Sequence, residues 1–162
     1  MKTAVYPGTF DPITHGHSDI IRRGLRIFEQ IIVAVAPNPS KHPMFNLQER
    51  LEMVRLATKD LTHVEITTFD GLLVEFVRKR GAHAVLRGLR AISDFEHEFQ
   101  MALINRKLAE SVETVFLMPS EEYSYLSSTI IKDVASHGGS LEEFVYPEVA
   151  KRLQERIRSL KG

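Results

Sequence analysis

Four short stretches hold the residues with the most chemical potential, and each follows a run rich in β-branched residues. The first, PGTFDPITHGH at residues 7–17, mixes two prolines with two glycines and ends in Gly16 and His17. That composition forces an irregular loop, and a helix opening at Gly16 would set His17 among free N–H groups where the helix dipole favours an anion. Thr14 or His15 acting simply as a helix cap explains part of the same pattern. The second stretch, PNPSKHPMF at residues 37–45, places three prolines around Ser40, Lys41 and His42. Prolines stiffen a loop, so Lys41 is presented as a positioned point charge, although a solvated surface lysine fits the composition equally. The third is Arg87-Gly88-Leu89-Arg90, in which glycine permits close backbone approach and two guanidinium groups can grip phosphate oxygens in pairs. Asp94 and Glu98, four residues apart on the helix that follows, can orient those arginines. The fourth, PSEEYSYLSSTIIKDV at residues 119–134, sets Ser127, Ser128 and Thr129 ahead of Ile130 and Ile131. This is an N-cap pattern whose hydroxyls and free N–H groups also suit an anion.

The chemistry these stretches share is recognition of phosphate. Neither G-x-x-x-x-G-K-[ST] nor G-x-G-x-x-G occurs, so neither a P-loop nor the dinucleotide fingerprint applies. Cysteine is absent and no G-x-S-x-G elbow is present, which leaves no convincing covalent nucleophile. His15 and His17 spell H-x-H, but a metal hydrolase needs more ligands than that pair. Displacement at phosphorus asks mainly for positioned donors and cations, and those are what the four stretches offer.

The elements needed to hold them are legible. Strands are predicted at residues 2–6, 30–36, 63–69, 83–86 and 113–118. Between them, Ile20, Ile21, Leu25 and Phe28 share a helical face, as do Leu47, Leu51 and Val54, and then Leu72, Leu73, Phe76 and Val77. Asn46 with Glu49 reads as a capping box, and Gly81 as a helix stop. From Pro147 a last helix aligns Ala150, Leu153, Ile157 and Leu160. Alternation of strand and helix argues for an α/β, doubly wound, Rossmann-like domain over residues 1–162, with a five-stranded parallel sheet and C-terminal helices. Such sheets bind ligands beyond the carboxyl ends of their strands, where all four stretches fall. The helix around residues 91–109 is unusual: Ile92, Phe95, Phe99 and Leu103 form one stripe, and Met101, Ile104 and Leu108 another nearly opposite. A helix apolar on two sides is buried on both, inside the fold or against another subunit.

Composition narrows the partners. With 21 basic against 21 acidic residues, no global field gathers nucleic acid, so any anion site is local. The lack of cysteine fits an intracellular protein. No apolar run approaches the ~20 residues needed to cross a bilayer, and the N-terminus lacks a signal-peptide profile. A soluble cytoplasmic protein, without nucleic-acid or membrane partners, is the expectation.

Thr14-His15-Gly16-His17 after the first strand, and Ser127-Ser128-Thr129 opening a late helix, resemble the HxGH and ISSTxIR signatures of the nucleotidylyltransferase superfamily. Leu126 stands for the first Ile of the second signature and Lys132 for its final Arg, which keeps charge but removes bidentate geometry. YPGTFDPITHGH, PSKHPMF, LRGLRAISDFEHEFQMALINR and FLMPSEEYSYLSST, in that order, resemble the bacterial phosphopantetheine adenylyltransferases nearly from end to end. The resemblance implies transfer of the AMP part of ATP to 4'-phosphopantetheine, giving dephospho-coenzyme A and pyrophosphate. Thr9, Lys41, Leu73 and Arg87 match the family's acceptor-binding positions. Thr9, Phe10, His17, Gly88, Leu89, Arg90, Glu98 and the run Tyr123, Ser124, Tyr125, Leu126, Ser127, Ser128 and Thr129 match its ATP-binding positions, and His17 the group that stabilises the transition state. It further implies dependence on Mg2+, a homohexamer and feedback inhibition by coenzyme A. Another phosphorylated acceptor, such as nicotinamide mononucleotide, or a regulator that binds ATP without consuming it, are the alternatives on the same scaffold.

A phosphate monoester has a second pKa near ~6, so at neutral pH such an acceptor is already largely the dianion and needs no protein base. Asp11, Asp94 and Glu98 are therefore assigned to orientation of loop, arginines or ATP. The acid limb of the rate–pH profile should follow ionisation of the acceptor and persist in Asp11→Asn, Asp94→Asn and Glu98→Gln. A variant that lost this limb and recovered rate on addition of small bases would show that a protein base exists.

Overall fold

The computed structural model describes residues 2–90 and 95–162. Five parallel strands, β1 (Thr3–Gly8), β2 (Gln30–Val35), β3 (Val64–Thr68), β4 (Ala84–Gly88) and β5 (Glu113–Leu117), form one sheet in the order β3-β2-β1-β4-β5. Helices α1 (His15–Gly24), α2 (Leu47–Thr58), α3 (Leu73–Lys79), α4 (Phe95–Leu108), α5 (Ser128–Ser136) and α6 (Pro147–Lys161) accompany it. The winding reverses between β1 and β4, as in other doubly wound sheets. Pairing between them is recorded only at Ala4 with Ala84 and Val5 with Val85. Beyond that point β1 continues against β2, through Gly8 with Val35, and β4 continues against β5, through Gly88 with Leu117. The two central strands thus part at their carboxyl ends.

Alternation along the strands supplies a core on each face. Ala4, Ile31, Val33 and Leu86 pack with Ile20 and Ile21 of α1, Met53 of α2, Ile131 of α5 and Leu153 of α6. Val5, Ile32, Ala34 and Val85 face Val74 and Val77 of α3. Period-2 side chains on fully covered strands require this division.

Several boundaries and faces differ from expectation. α1 stops at Gly24, where a Cβ would lie 2.7 Å from Leu86 Cδ2. Phe28 is nevertheless buried, because the following turn hydrogen-bonds back to Gly24 (Phe28 N to O, 2.8 Å). α3 buries Val74 and Val77, while Leu72 precedes the helix as its N-cap and is exposed. On α6 the covered side is Val149, Leu153 and Ile157, and Leu160 is exposed. Asn46 and Glu49 do form a reciprocal capping box, and Gly81 follows α3 at φ +61°, a backbone region that glycine adopts without strain.

α4 departs furthest. Ile92 lies outside the described residues, but Phe95, Phe99, Leu103, Met101, Ile104 and Leu108 are each 41–56% exposed. Only Glu98 of this helix is buried. The two apolar stripes are therefore not covered inside the fold.

Candidate active site

The parted ends of β1 and β4 open onto a cavity of about 400 Å3. Its floor is Tyr6, Pro7 and Gly8 from β1 with Arg87 and Gly88 from β4. One wall is α1 through Gly16, His17 and Ile20. The other is the segment after β5, from Pro119 through Tyr123, Leu126 and the start of α5 at Ser127, Ser128 and Thr129. Thr9, Phe10, Thr14, Arg90 and Glu98 complete the lining. Of the positions singled out in the sequence, Leu89, Ser124, Tyr125, Lys41 and Leu73 stand outside it. Leu89 instead extends the β4–β5 pairing (N to Leu117 O, 2.9 Å). Lys41 is exposed at the end of a 3-10 turn, so the loop after β2 flanks the cavity rather than entering it. Asn38 of that loop donates to the Thr9 hydroxyl at 2.7 Å, which joins the two. Asp94 lies outside the described residues.

Local sequence sets His17. Thr14 is the N-cap of α1, and its backbone N–H donates to His17 Nδ1 at 3.0 Å. Nδ1 is thereby an acceptor, which assigns the ring proton to Nε2. Burial first, then the charges of Arg90 and Arg87, push the His17 pKa down to about 4. A neutral imidazole with an N–H donor results at physiological pH. The Phe10 ring meets it edge-on at 5.0 Å and Tyr6 at 5.4 Å. Phe10 holds this place with φ +49°, a left-handed conformation costly for an aromatic residue and found where surroundings over-determine it.

The arginines are held as well. Arg87 Nε donates to Glu98 Oε2 at 2.8 Å, Nη2 to Oε1, and Nη1 to Pro7 O at 3.0 Å. This bidentate pair is the orienting role expected of Glu98. Arg90 Nη1 donates to Leu126 O at 3.2 Å. Gly88 lies close under α1: a Cβ there would lie 3.1 Å from Ile20 Cγ1, a tight contact that the Ile20 side chain would have to relieve. At α5, Ser127 is the N-cap and accepts from Ile130 N at 3.1 Å, while the Ser128 hydroxyl donates to Pro12 O at 2.8 Å. Lys132 donates to Asp11 Oδ2 at 2.9 Å. The cation in the place of the superfamily arginine is thus committed to an ion pair with the β1 loop.

Two groups, Arg50 and Asp19, were not legible in the sequence, and a third, Asp11, was legible only in part. Arg50 on α2, 1% exposed, donates to Thr9 O, Ala36 O, Pro37 O and Phe45 O at 2.6–3.0 Å. Asp11, assigned only generally to loop orientation, accepts from Met44 N and Phe45 N at 2.8 and 2.9 Å. Asp19 accepts from Ser120 N at 2.6 Å and from Arg23 Nε at 2.9 Å, pinning the start of the β5–α5 segment to α1. Burial alone would raise its carboxyl, but the bonds from Ser120 and Arg23 hold it below the usual range. Nothing in LQERLEMVRL distinguishes Arg50 from a solvated helix residue.

The profile of the cytidylyltransferase-like family matches residues 5–134. A phosphopantetheine adenylyltransferase from Caldanaerobacter subterraneus subsp. tengcongensis is 55% identical over 158 residues, 98% of this chain and 99% of that protein. One from Alkalilimnicola ehrlichii is 57% identical over 155 residues, 94% of this chain and 89% of that protein. Among solved structures, a putative nicotinate-nucleotide adenylyltransferase from Vibrio parahaemolyticus superimposes with TM-score 0.69 at 18% identity, covering 94% of this chain and 99% of that one. The last likeness is one of fold.

The capping geometry makes a spectroscopic prediction. The 15N shifts of His17 should be those of a neutral ring protonated at Nε2 from pH 8 down to about pH 5, with titration near 4. Because its folded pKa lies below the unfolded value near ~6.5, the stability associated with His17 should be fully present above that value and be lost as pH falls from there toward 4. A midpoint near 6.5 would show that the ring is not held this way.

Proposed function

The chain belongs to the cytidylyltransferase-like family and, within it, to the phosphopantetheine adenylyltransferases, and on that premise we propose how its cavity performs the reaction. The enzyme transfers the adenylyl group of ATP to 4'-phosphopantetheine in coenzyme A synthesis. A phosphate oxygen of the acceptor bonds to the α-phosphorus of ATP, and the bond from that phosphorus to the bridging oxygen breaks. Dephospho-coenzyme A and pyrophosphate leave. The observation that carries the assignment of roles is His17: a neutral ring, locked by Thr14, with its N–H donor beside two arginines.

Negative charge grows on the five-coordinate phosphorus and on departing pyrophosphate, so donors placed beforehand lower the barrier without rearranging during the step. His17 Nε2–H serves the transferring phosphorus. Arg90 and the N-terminus of α5, at Ser127 to Thr129, serve the ATP side. Tyr123 and Leu126 form the wall beside it. Arg87, with Thr9, Lys41 and Leu73, serves the acceptor, and Glu98 acts by holding Arg87. Since the acceptor arrives as a dianion, Glu98 needs no free oxygen to remove a proton.

Mg2+ is part of this proposal. Glu98 is the carboxylate of the described lining, and both its oxygens face Arg87. Such a set suits a cation that arrives on the triphosphate and not one caged by protein. When bound, Mg2+ neutralises charge on the phosphates. A homohexamer would cover the exposed apolar residues of α4, which are too many for a free surface helix. Feedback by coenzyme A fits a ligand that combines both substrate halves in one molecule. No helix among the described residues is long and apolar enough to cross a membrane, and we place the enzyme in the cytoplasm.

Pyrophosphate release from ATP, measured with 4'-phosphopantetheine, nicotinamide mononucleotide and other phosphorylated acceptors, tests the reading. Only the first should support rapid release. Lys41→Ala should raise its KM or lower turnover while calorimetric ATP affinity changes little. Release with another acceptor alone, or with none, would contradict the assignment of substrate.

A further inference from the structure

Arg50 is a charge buried where water cannot solvate it, and such a group persists only with its donors satisfied. Burial lowers its pKa, and the Asp11 carboxylate acts against that shift. Its partners are informative. Ala36 O and Pro37 O (2.6 and 2.9 Å) open the loop that carries Lys41, and Phe45 O (3.0 Å) closes it. Thr9 O (2.8 Å) belongs to the loop after β1. A single guanidinium therefore ties both ends of the Lys41 loop to the segment bearing Thr9. Asp11 works from the other side, accepting from Met44 N and Phe45 N, and Lys132 secures Asp11 to α5. Lys41 itself is exposed. Its position therefore depends on how the loop is anchored.

We propose that Arg50 is a positioning residue for the acceptor: it fixes the Lys41 loop against Thr9 and so sets where the acceptor's phosphate lies relative to His17. This rests on the reaction proposed above. The planar fork of arginine supplies donors in several fixed directions, which suits four separate carbonyls. An ammonium radiates from one nitrogen and cannot reach all four. Thr9 is shared by both substrates, but Arg90 and Ser127 to Thr129, which serve ATP alone, are not among the hydrogen-bond partners of Arg50. Loosening the clamp should therefore weaken the acceptor more than ATP.

Arg50→Lys keeps the charge and loses the fork. It should raise the KM for 4'-phosphopantetheine roughly tenfold or more, with calorimetric ATP affinity within about threefold of the parent. A residue that served stability alone would lower the melting temperature and leave that ratio unmoved at 15 °C. Asn38→Gly is the companion variant. Asn38 sits at φ +42°, which glycine accepts, and its amide makes the neighbouring tie to the Thr9 hydroxyl. It should raise the acceptor KM roughly threefold, with a smaller change in ATP affinity. If Arg50→Lys does not fold, the Asn38→Gly result decides: an unaltered acceptor KM overturns the proposal. Equal losses for ATP and acceptor in a folded Arg50→Lys would also overturn it. Both outcomes leave the reaction standing, whereas a parent enzyme inactive with 4'-phosphopantetheine would remove the reaction and this inference together.

Discussion

The parting of β1 and β4 is the constraint on which the site depends. Hydrogen bonding holds them together at Ala4–Ala84 and Val5–Val85, after which each follows its outer neighbour. Crossovers leave the sheet on opposite faces at this point, so among the described residues no helix closes the gap. Backbone groups at the fork are then free to meet side chains, and Arg87 spans it by donating to Pro7 O. The glycine after Arg87 lets α1 come close enough for Ile20 and His17 to form the wall. A slip of one residue in β4 would turn Arg87 to the other face.

In that gap and the loops around it the charges are largely matched by the protein itself. Glu98 meets Arg87, Asp11 meets Lys132, and carbonyls receive Arg50. A chain with equal numbers of acidic and basic residues has no field to spare, so its anion site works through direction more than through total charge. The neutral state of His17 belongs to the same economy. A third full cation beside Arg87 and Arg90 would be costly, whereas a neutral donor adds orientation without repulsion.

How much of this the sequence disclosed depends on the range of the interaction. Alternating β-branched runs and helical stripes gave the sheet, because period is a local property. Asn46–Glu49 and Ser127–Ile130 were legible for the same reason: caps are made by near neighbours. The resemblance to a known family directed attention to the lining residues. Arg50 escaped, since its partners Thr9 and Ala36 lie 41 and 14 residues away and its helix reads as ordinarily amphipathic. Lys132 was legible only as a cation in the place of the superfamily arginine, since its partner Asp11 is 121 residues away. The exposure of both stripes of α4 could not be read either, because period reports apolar faces and not what covers them.

In the role proposed for His17, a fixed neutral donor acts on the transition state more than on bound ATP. Single-turnover adenylyl transfer by His17→Ala, beside calorimetric ATP affinity of the same preparation, tests it most directly. The rate should fall by about 10²-fold to 10³-fold while ATP affinity stays within a few-fold. Transfer within a few-fold of the parent rate, or a loss of ATP affinity as large as the loss of rate, would contradict it.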